Sequence, residues 1–145
     1  MEENFTVLKN ASDQNGKPFH IIRVPVADHH VHQVKYEDLA DYEKLYFPIT
    51  KPGEIANAIA TTSYLNFLIA NDVVITAKYW KEGKSESKKV KDEKVLKVFE
   101  KAFPEKKIVQ IDMEGYNNGG GGIHCATYNE HKGIKINSQI NKTIN

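Results

Sequence analysis

The chain has 145 residues, of which 40% are hydrophobic and 27% are charged, a balance typical of one globular domain with a buried core. Its net charge of +1, from 20 basic and 19 acidic residues, argues against a general attraction to nucleic acid or to an anionic membrane surface. The single cysteine excludes an internal disulfide and any zinc site built from several cysteines.

No targeting segment is evident in the sequence. The first residues lack the basic segment and apolar stretch of a signal peptide. No stretch approaches the roughly 18 apolar residues that a membrane-spanning helix needs. A lone cysteine is compatible with a reducing compartment, so we expect a cytoplasmic protein with no membrane partner.

The N-terminal half predicts few regular elements. Apolar residues at helical spacing predict a helix over residues 4–11, and residues 13–18 are a cluster of turn formers. Residues 19–26 are rich in β-formers and predict a strand that ends near Pro25. Residues 27–62 carry two prolines and many charges, and they are predicted to form a long loop, a feature that is often functional.

The C-terminal half is better defined. Residues 63–70 and 73–79 flank Asn71-Asp72 and predict a β-hairpin, since both turn residues tolerate the positive φ of a type I′ turn. Apolar residues at helical spacing then predict an amphipathic helix over residues 87–102. Two strands are predicted after it, over residues 107–113 and over residues 123–128.

This order of elements predicts an α+β fold. A hairpin, a helix and a strand make a ββαβ unit, and a second, partial unit precedes it. A solitary unit of this kind would expose its sheet edges and have a one-sided core. The chain is therefore predicted to be a piece of something larger.

The only cysteine lies directly after an unusual glycine run. Gly119-Gly120-Gly121-Gly122 is followed by Ile123, His124 and Cys125. Glycine is needed where φ is positive or where another group approaches the backbone closely, and ordering four of them costs conformational entropy. A lone cysteine after such a run is a candidate nucleophile, although a lone cysteine is more often a small buried hydrophobe.

Four blocks of sequence carry a family resemblance: the glycine–His–Cys–x–Thr block ending at Thr127, the block Tyr64-x-Asn66-Phe67, the block Val109-Gln110-Ile111-Asp112, and the lead-in Gly16-Lys17-Pro18-Phe19-His20-Ile21-Ile22-Arg23-Val24-Pro25. Together they resemble the agmatine deiminase and Porphyromonas-type peptidylarginine deiminase family. The resemblance covers residues 4 to about 130. It implies a pentein fold, in which five ββαβ modules surround a central site, and this chain would hold about two of them.

The resemblance also implies an activity and its residues. It implies hydrolysis of a guanidinium group to a ureido group and ammonia, through a covalent thiouronium intermediate. Cys125 matches the family nucleophile, and Asn66 and the run Gly119-Gly120-Gly121-Gly122 match residues that line the substrate site. For Asn66 a purely structural role stays open. No cofactor and no metal are implied, and the expected ligand is a small guanidine or an arginine side chain.

The sequence departs from the family in one important motif. The family's histidine base lies in a His-x-Asp motif, and none of the six histidines here has an aspartate two positions later. Full family members are more than twice this length. We therefore expect residues 1–132 to be the C-terminal portion of a deiminase domain, and residues 133–145 to be a loose polar tail. The histidine base and the substrate-gripping carboxylates would belong to the absent N-terminal modules.

The remaining histidines offer no replacement base. In an extended segment the side chain of His124 points away from that of Cys125. The trio His29, His30 and His32 lacks a further ligand at metal-site spacing, so we interpret it as part of a solvated loop.

Two functional hypotheses follow. The chain is either the C-terminal part of a guanidine-modifying hydrolase, inactive in isolation, or a non-catalytic remnant that binds or self-associates. In both cases the exposed module faces predict a homo-oligomer or an assembly with the missing modules.

Overall fold

The computed structural model describes residues 2–130, and the tail predicted for residues 133–145 lies outside the described residues. The described part is a mixed α and β chain, which confirms the predicted α+β class. Its α-helices are α1 (Glu2–Lys9), α2 (Asp41–Lys44), α3 (Glu86–Ala102) and α4 (Glu114–Asn118). Its strands are β1 (Val31–Lys35), β2 (Ile55–Ile59), β3 (Leu68–Ile69), β4 (Val73–Lys78) and β5 (Lys107–Asp112). Two 3₁₀ turns are found at Tyr36–Asp38 and His124–Ala126.

Strands β3, β4 and β5 form one sheet in that order. Strand β3 runs antiparallel to β4, with Leu68 opposite Ile75, and β5 runs parallel to β4, with Val109 opposite the same Ile75. Helix α3 connects β4 to β5, because a parallel pair needs a long crossover. This arrangement confirms the predicted ββαβ unit. A separate two-stranded sheet, β1 with β2, precedes it.

The hydrophobic core lies between α3 and the three-stranded sheet. Val95 and Phe99 are one helical turn apart on α3 and are 0% and 2% exposed. They belong to one buried cluster with Val74 and Ala77 of β4. Phe67 meets Phe99 edge to face, with ring centroids 4.9 Å apart. Burying each large apolar side chain contributes about 1.5–3 kcal/mol, so this face of α3 holds the unit together.

Asp92 of α3 is a buried carboxylate whose oxygens are bound by donors from the sheet side of the core. It accepts the hydroxyl of Tyr64 at 2.7 Å and the backbone N–H groups of Tyr79 and Trp80, the latter at 2.7 Å. Burial, followed by the hydrogen bond to Asp92, raises the pKa of Tyr64, so its phenol stays protonated and donates. Because Tyr64 lies two residues before Asn66, this network fixes the segment that carries Asn66.

The N-terminal predictions are partly confirmed. The helix predicted over residues 4–11 is α1, and the turn at residues 13–18 contains Gly16 at a φ of +76°. The strand predicted over residues 19–26 is wrong. This segment has no neighbouring strand in the described part of the chain to receive its backbone groups, and Val26 is 58% exposed.

The long loop predicted for residues 27–62 is also wrong. It contains β1 and β2, which pair antiparallel over five residues with Val31 opposite Ile59. Pro48 and Pro52 both fall in the connection between these strands, where they interrupt no ladder. Because the two strands are short, their alternating pattern was not recognised among the surrounding charges and prolines.

The predicted hairpin around Asn71-Asp72 is confirmed, but its turn is not type I′. No non-glycine residue among residues 2–130 has a positive φ. The Nζ of Lys106 bonds the carbonyl of Asn71 at 2.7 Å, and the backbone of Lys107 bonds that of Asp72, so the start of β5 holds the turn. Strand β3 is shorter than predicted because the carbonyl of Tyr64 is bound by Thr76 Oγ1 instead of a ladder partner.

The later elements largely match the predictions made from the sequence. The helix predicted over residues 87–102 is α3 and the strand predicted over residues 107–113 is β5. Among residues 2–130, none of the helices combines the length and the apolar character that a membrane crossing requires.

Candidate active site

Strand β5 leads to the glycine run through a short helix that the sequence did not predict. Asp112 ends the strand, and its Oδ1 accepts the backbone N–H of Glu114 at 2.9 Å, where α4 begins. Met113 is 3% exposed and accepts the N–H of Asn117 at 2.9 Å. The backbone N–H of Gly119 then bonds back into the last turn and ends the helix. The glycine run is therefore anchored at the carboxyl end of a core strand.

Asn117 holds the glycine run in one shape. This side chain is 2% exposed, and its Nδ2 donates to the carbonyl of Gly121 at 2.7 Å. Gly120 has a φ of +84°, in the left-handed region that favours glycine, and its N–H donates to the carbonyl of Asn117 at 3.1 Å. The run is thus a hydrogen-bonded turn.

Asn66 lies beside the far end of this turn and contacts two residues that come after it, His124 and Cys125. Its Oδ1 accepts the backbone N–H of His124 at 2.7 Å, and its Nδ2 donates to the Sγ of Cys125 at 3.0 Å. The first bond fixes the orientation of the amide, since an amide whose oxygen accepts a backbone N–H must turn its nitrogen to the other side. The structure therefore brings together Asn66 and Cys125, which are far apart in sequence.

Cys125 is a free, exposed thiol, so its interpretation as a buried hydrophobe is wrong. Its pKa lies below the ordinary thiol value. The chief cause is the hydrogen bond from Asn66, and the backbone of Gly122 and its own backbone add to it, while burial acts in the opposite direction. The thiolate is the nucleophilic form of cysteine, so these donors favour reactivity.

Gly122 permits the close approach of Asn66. It is buried, and a Cβ built on it would lie 2.6 Å from the Cγ and 2.8 Å from the Oδ1 of Asn66. Atoms this close cannot coexist, so any larger residue would displace the amide. A Cβ on Gly121 would instead make an ordinary contact, 3.6 Å from the Cβ of Cys125.

A shallow cleft of about 720 Å³ opens in front of the thiol. It is lined by Asp112, Gly115, Tyr116, Gly119, Gly121, Gly122, Cys125 and Ala126. Three of the four glycines of the run therefore line the same cleft as Cys125, and Gly120 lies outside it. Asp112 is the one charged residue among those that line it.

The strand predicted over residues 123–128 is wrong, because this segment begins with a 3₁₀ turn. The N–H of Ala126 bonds the carbonyls of Gly122 and Ile123, and the Oγ1 of Thr127 donates to the carbonyl of Ile123 at 2.9 Å. These local bonds close the turn where a strand would have needed a neighbour. His124 and Cys125 therefore do not alternate as neighbours in an extended strand would, contrary to the prediction.

The histidine trio leads to a different cluster. The Nδ1 of His30 lies 3.0 Å from Glu114, which also pairs with Lys84 at 2.8 Å and with Lys81. Burial acts to raise the pKa of Glu114, but the hydrogen bonds from the two lysines and the charge of His30 outweigh it and lower the pKa to about 2. Within residues 2–130, no three His, Cys, Asp or Glu side chains are grouped as a metal site would require.

Sequence reasoning missed Asn117 and Asp112. Asn117 lies two positions before the glycine run, and an asparagine at a helix end close to glycines was a usable signal for a structured turn. Asp112 is a carboxylate at the carboxyl end of a predicted strand, and ligands in sheets with parallel strands often bind at that edge.

A free thiol that lines a cleft, accepts a hydrogen bond from a fixed amide and has a lowered pKa is the arrangement of a candidate cysteine-nucleophile site. The sequence profile described as Porphyromonas-type peptidyl-arginine deiminase matches residues 1–130. The chain belongs to this family.

Individual relatives are similar over most of this chain but are much longer. A Legionella pneumophila protein named "Putative agmatine deiminase" is 28% identical over 137 residues, which cover 94% of this chain and 31% of the relative. An Enterococcus faecalis protein of the same name is 40% identical over 83 residues, covering 57% of this chain and 20% of the relative. The solved structure of agmatine deiminase of Enterococcus faecalis matches with a TM-score of 0.58 at 26% identity, covering 85% of this chain and 30% of that one. The chain thus spans less than a third of the length of these relatives.

Proposed function

We propose that this chain supplies the nucleophile of a guanidine-modifying hydrolase, with Cys125 as the attacking residue. The observation that carries this proposal is the hydrogen bond from a fixed amide to the sulfur of Cys125. The amide of Asn66 is 3.0 Å from Sγ, and backbone groups of Gly122 and Cys125 also lower the pKa of the thiol. Family membership supports the same assignment, since the relatives carry the name agmatine deiminase.

The proposed reaction steps follow from the low reactivity of the guanidinium group. A guanidinium carbon is a poor electrophile because its charge is delocalised, so it must be held close to a thiolate. The Cys125 thiolate attacks this carbon and forms an S–C bond, giving a tetrahedral adduct. Departure of one nitrogen as ammonia, after it gains a proton, leaves a thiouronium on Cys125. Water then adds to the thiouronium carbon and loses a proton, and cleavage of the S–C bond releases the ureido product and the free thiol.

The cleft described here supplies part of that chemistry. Asn66 and the backbone of the glycine run stabilise the thiolate, both before attack and when it leaves. A proton carrier and further carboxylates for the guanidinium are proposed to come from outside residues 2–130. The ββαβ unit is proposed to be one module of a pentein, with the β1–β2 sheet belonging to the module before it.

A second candidate function is that of a non-catalytic, self-associating domain. One observation favours it: Val31, Ile55 and Ile59 are 55%, 56% and 65% exposed and lie on the same face of the β1–β2 sheet. Apolar residues on one open face promote association. In this hypothesis the face is covered by a second copy of the chain, and sedimentation should then show a dimer. A well-dispersed monomer would exclude this hypothesis.

Turnover and the pKa of the Cys125 thiol together distinguish the two functions, because a hydrolase part that lacks its base shows no turnover but still has a thiol of low pKa. The purified full chain is incubated with agmatine, free arginine and an arginyl peptide, and ureido product and ammonia are measured. Product that disappears in Cys125→Ala establishes the hydrolase and excludes the non-catalytic hypothesis. Absence of product, together with a Cys125 pKa near the ordinary value of about 8.5, contradicts the proposed hydrolase.

A further inference from the structure

Asp112 and Cys125 reach the same cleft from opposite ends of one short segment. Asp112 is the last residue of β5, and Cys125 follows the glycine run that α4 connects to this strand. Both line the cleft of about 720 Å³. The other lining residues are glycines, Tyr116 and Ala126, which carry no charge. Apart from the Cys125 sulfur, the carboxylate of Asp112 is therefore the one charged group among the residues that line this cleft.

The carboxylate of Asp112 is held in place by its partners, but they do not use all of its hydrogen-bonding capacity. Its Oδ1 accepts the N–H of Glu114 at 2.9 Å, and this bond fixes the side-chain rotamer. Its Oδ2 lies 3.3 Å from the Nζ of Lys81, but that ammonium lies closer to Glu114, at 2.5 Å. The side chain of Asp112 is 54% exposed, and a carboxylate has about four lone-pair sites, so these two partners leave some of them free.

We propose that Asp112 is the specificity-determining carboxylate of the Cys125 cleft, and that it selects guanidines with a second positive charge over free arginine. This inference rests on the proposed function. A cation that enters the cleft loses water and gains attraction to a fixed carboxylate. This attraction favours cations in the cleft that Sγ lines. Free arginine carries a carboxylate beside its amine, and Asp112 repels that carboxylate, whereas an agmatine-like dication has the amine without the carboxylate.

Charged alkylating reagents test the proposal without turnover. Cys125 is alkylated with 2-bromoethylamine, iodoacetamide and iodoacetate, which are cationic, neutral and anionic, and adducts are followed by mass spectrometry. For each variant the ratio of the cationic to the anionic rate constant is compared. This ratio is independent of the thiolate fraction, because both reagents consume the same thiolate.

Asp112→Asn is the informative variant, because an asparagine oxygen still accepts the N–H of Glu114 and preserves the start of α4. At separations of about 6 Å in water, one unit charge changes the rate of a singly charged reagent about three-fold, so the ratio should fall about ten-fold. Asp72→Asn removes the same charge at the opposite end of β4 and should leave the ratio unchanged. Lys81→Ala removes the counter-cation and should raise it. In the unmutated chain 1 M salt should lower the ratio, since screening then acts within about 3 Å.

Protection by substrate-like ligands completes the test. Agmatine should slow iodoacetamide alkylation of Cys125 more than equal arginine does, and Asp112→Asn should abolish this difference. If the ratio in Asp112→Asn equals that in Asp72→Asn while Cys125 still reacts as a low-pKa thiol, the role of Asp112 is wrong and the proposed nucleophile stands. If iodoacetamide does not label Cys125 at neutral pH, both proposals are wrong.

Discussion

Replacing Gly122 with alanine tests the geometry of the thiol site most sharply. The added Cβ would lie 2.6 Å from the Cγ of Asn66, where ordinary contacts begin at 3.4 Å, so the amide must retreat by about 0.8 Å. This retreat lengthens both bonds of the amide, the 2.7 Å bond from the N–H of His124 and the 3.0 Å bond to the Sγ of Cys125. Crowding of this kind typically costs about 1–3 kcal/mol of stability.

Two measurements follow this change. The pH dependence of iodoacetamide alkylation reports the pKa of Cys125, which should rise in Gly122→Ala because its main stabilising donor moves away. Urea unfolding reports the lost stability. Gly121→Ala is the matched control, since its Cβ would make only a 3.6 Å contact, and it should leave the thiol pKa close to that of the unmutated chain. Equal thiol pKa values in the two variants would refute the account of Gly122.

Three further predictions concern the same framework. Asn66→Ala removes the donor to Sγ without crowding, so alkylation of Cys125 at neutral pH should slow while urea stability changes little; an unchanged rate contradicts the role of the amide. Asp92→Ala leaves the hydroxyl of Tyr64 and two buried N–H groups without an acceptor. The free energy of unfolding, measured with urea, should fall by about 3–5 kcal/mol. A loss below about 1 kcal/mol would contradict the structural role of this network. The pKa of Glu114 is lowered to about 2 from 4.5, so the stability it contributes is present above pH 4.5 and is lost as the pH falls toward 2. Glu114→Gln should therefore be less stable than the unmutated chain by about 1–2 kcal/mol at pH 7, a value reduced because the partner Lys81 is half-exposed and screened by solvent. Near pH 2 the two proteins should be equally stable. A stability difference that stays constant across this pH range would contradict the role given to Glu114.

The ββαβ unit was predictable because its periodicities are long and local. The apolar spacing along α3 and the run of β-formers in β5 each specify one element with little help from distant contacts. The wrong predictions concern segments whose local structure is determined by tertiary contacts. Residues 19–26 have the composition of a strand but no neighbouring strand, and the 3₁₀ turn after Gly122 is closed by bonds that no periodicity reveals.

The candidate site was predictable in its residues and not in its geometry. A glycine run before a lone cysteine, with the family resemblance, singled out Cys125 and Asn66. The sequence could not show that Gly122 is the glycine that Asn66 requires, because that requirement is a contact between residues 56 positions apart. It also could not show that Asp112 faces the same cleft, because α4 was not predicted.

The central claim is that Asn66 and the glycine run hold Cys125 as a reactive thiolate. The most direct measurement is the pH profile of Cys125 alkylation by iodoacetamide, on the full chain and on Asn66→Ala. We expect a midpoint below the ordinary thiol value of about 8.5, and a higher midpoint in Asn66→Ala. A midpoint at or above that value, unchanged by Asn66→Ala, would contradict it.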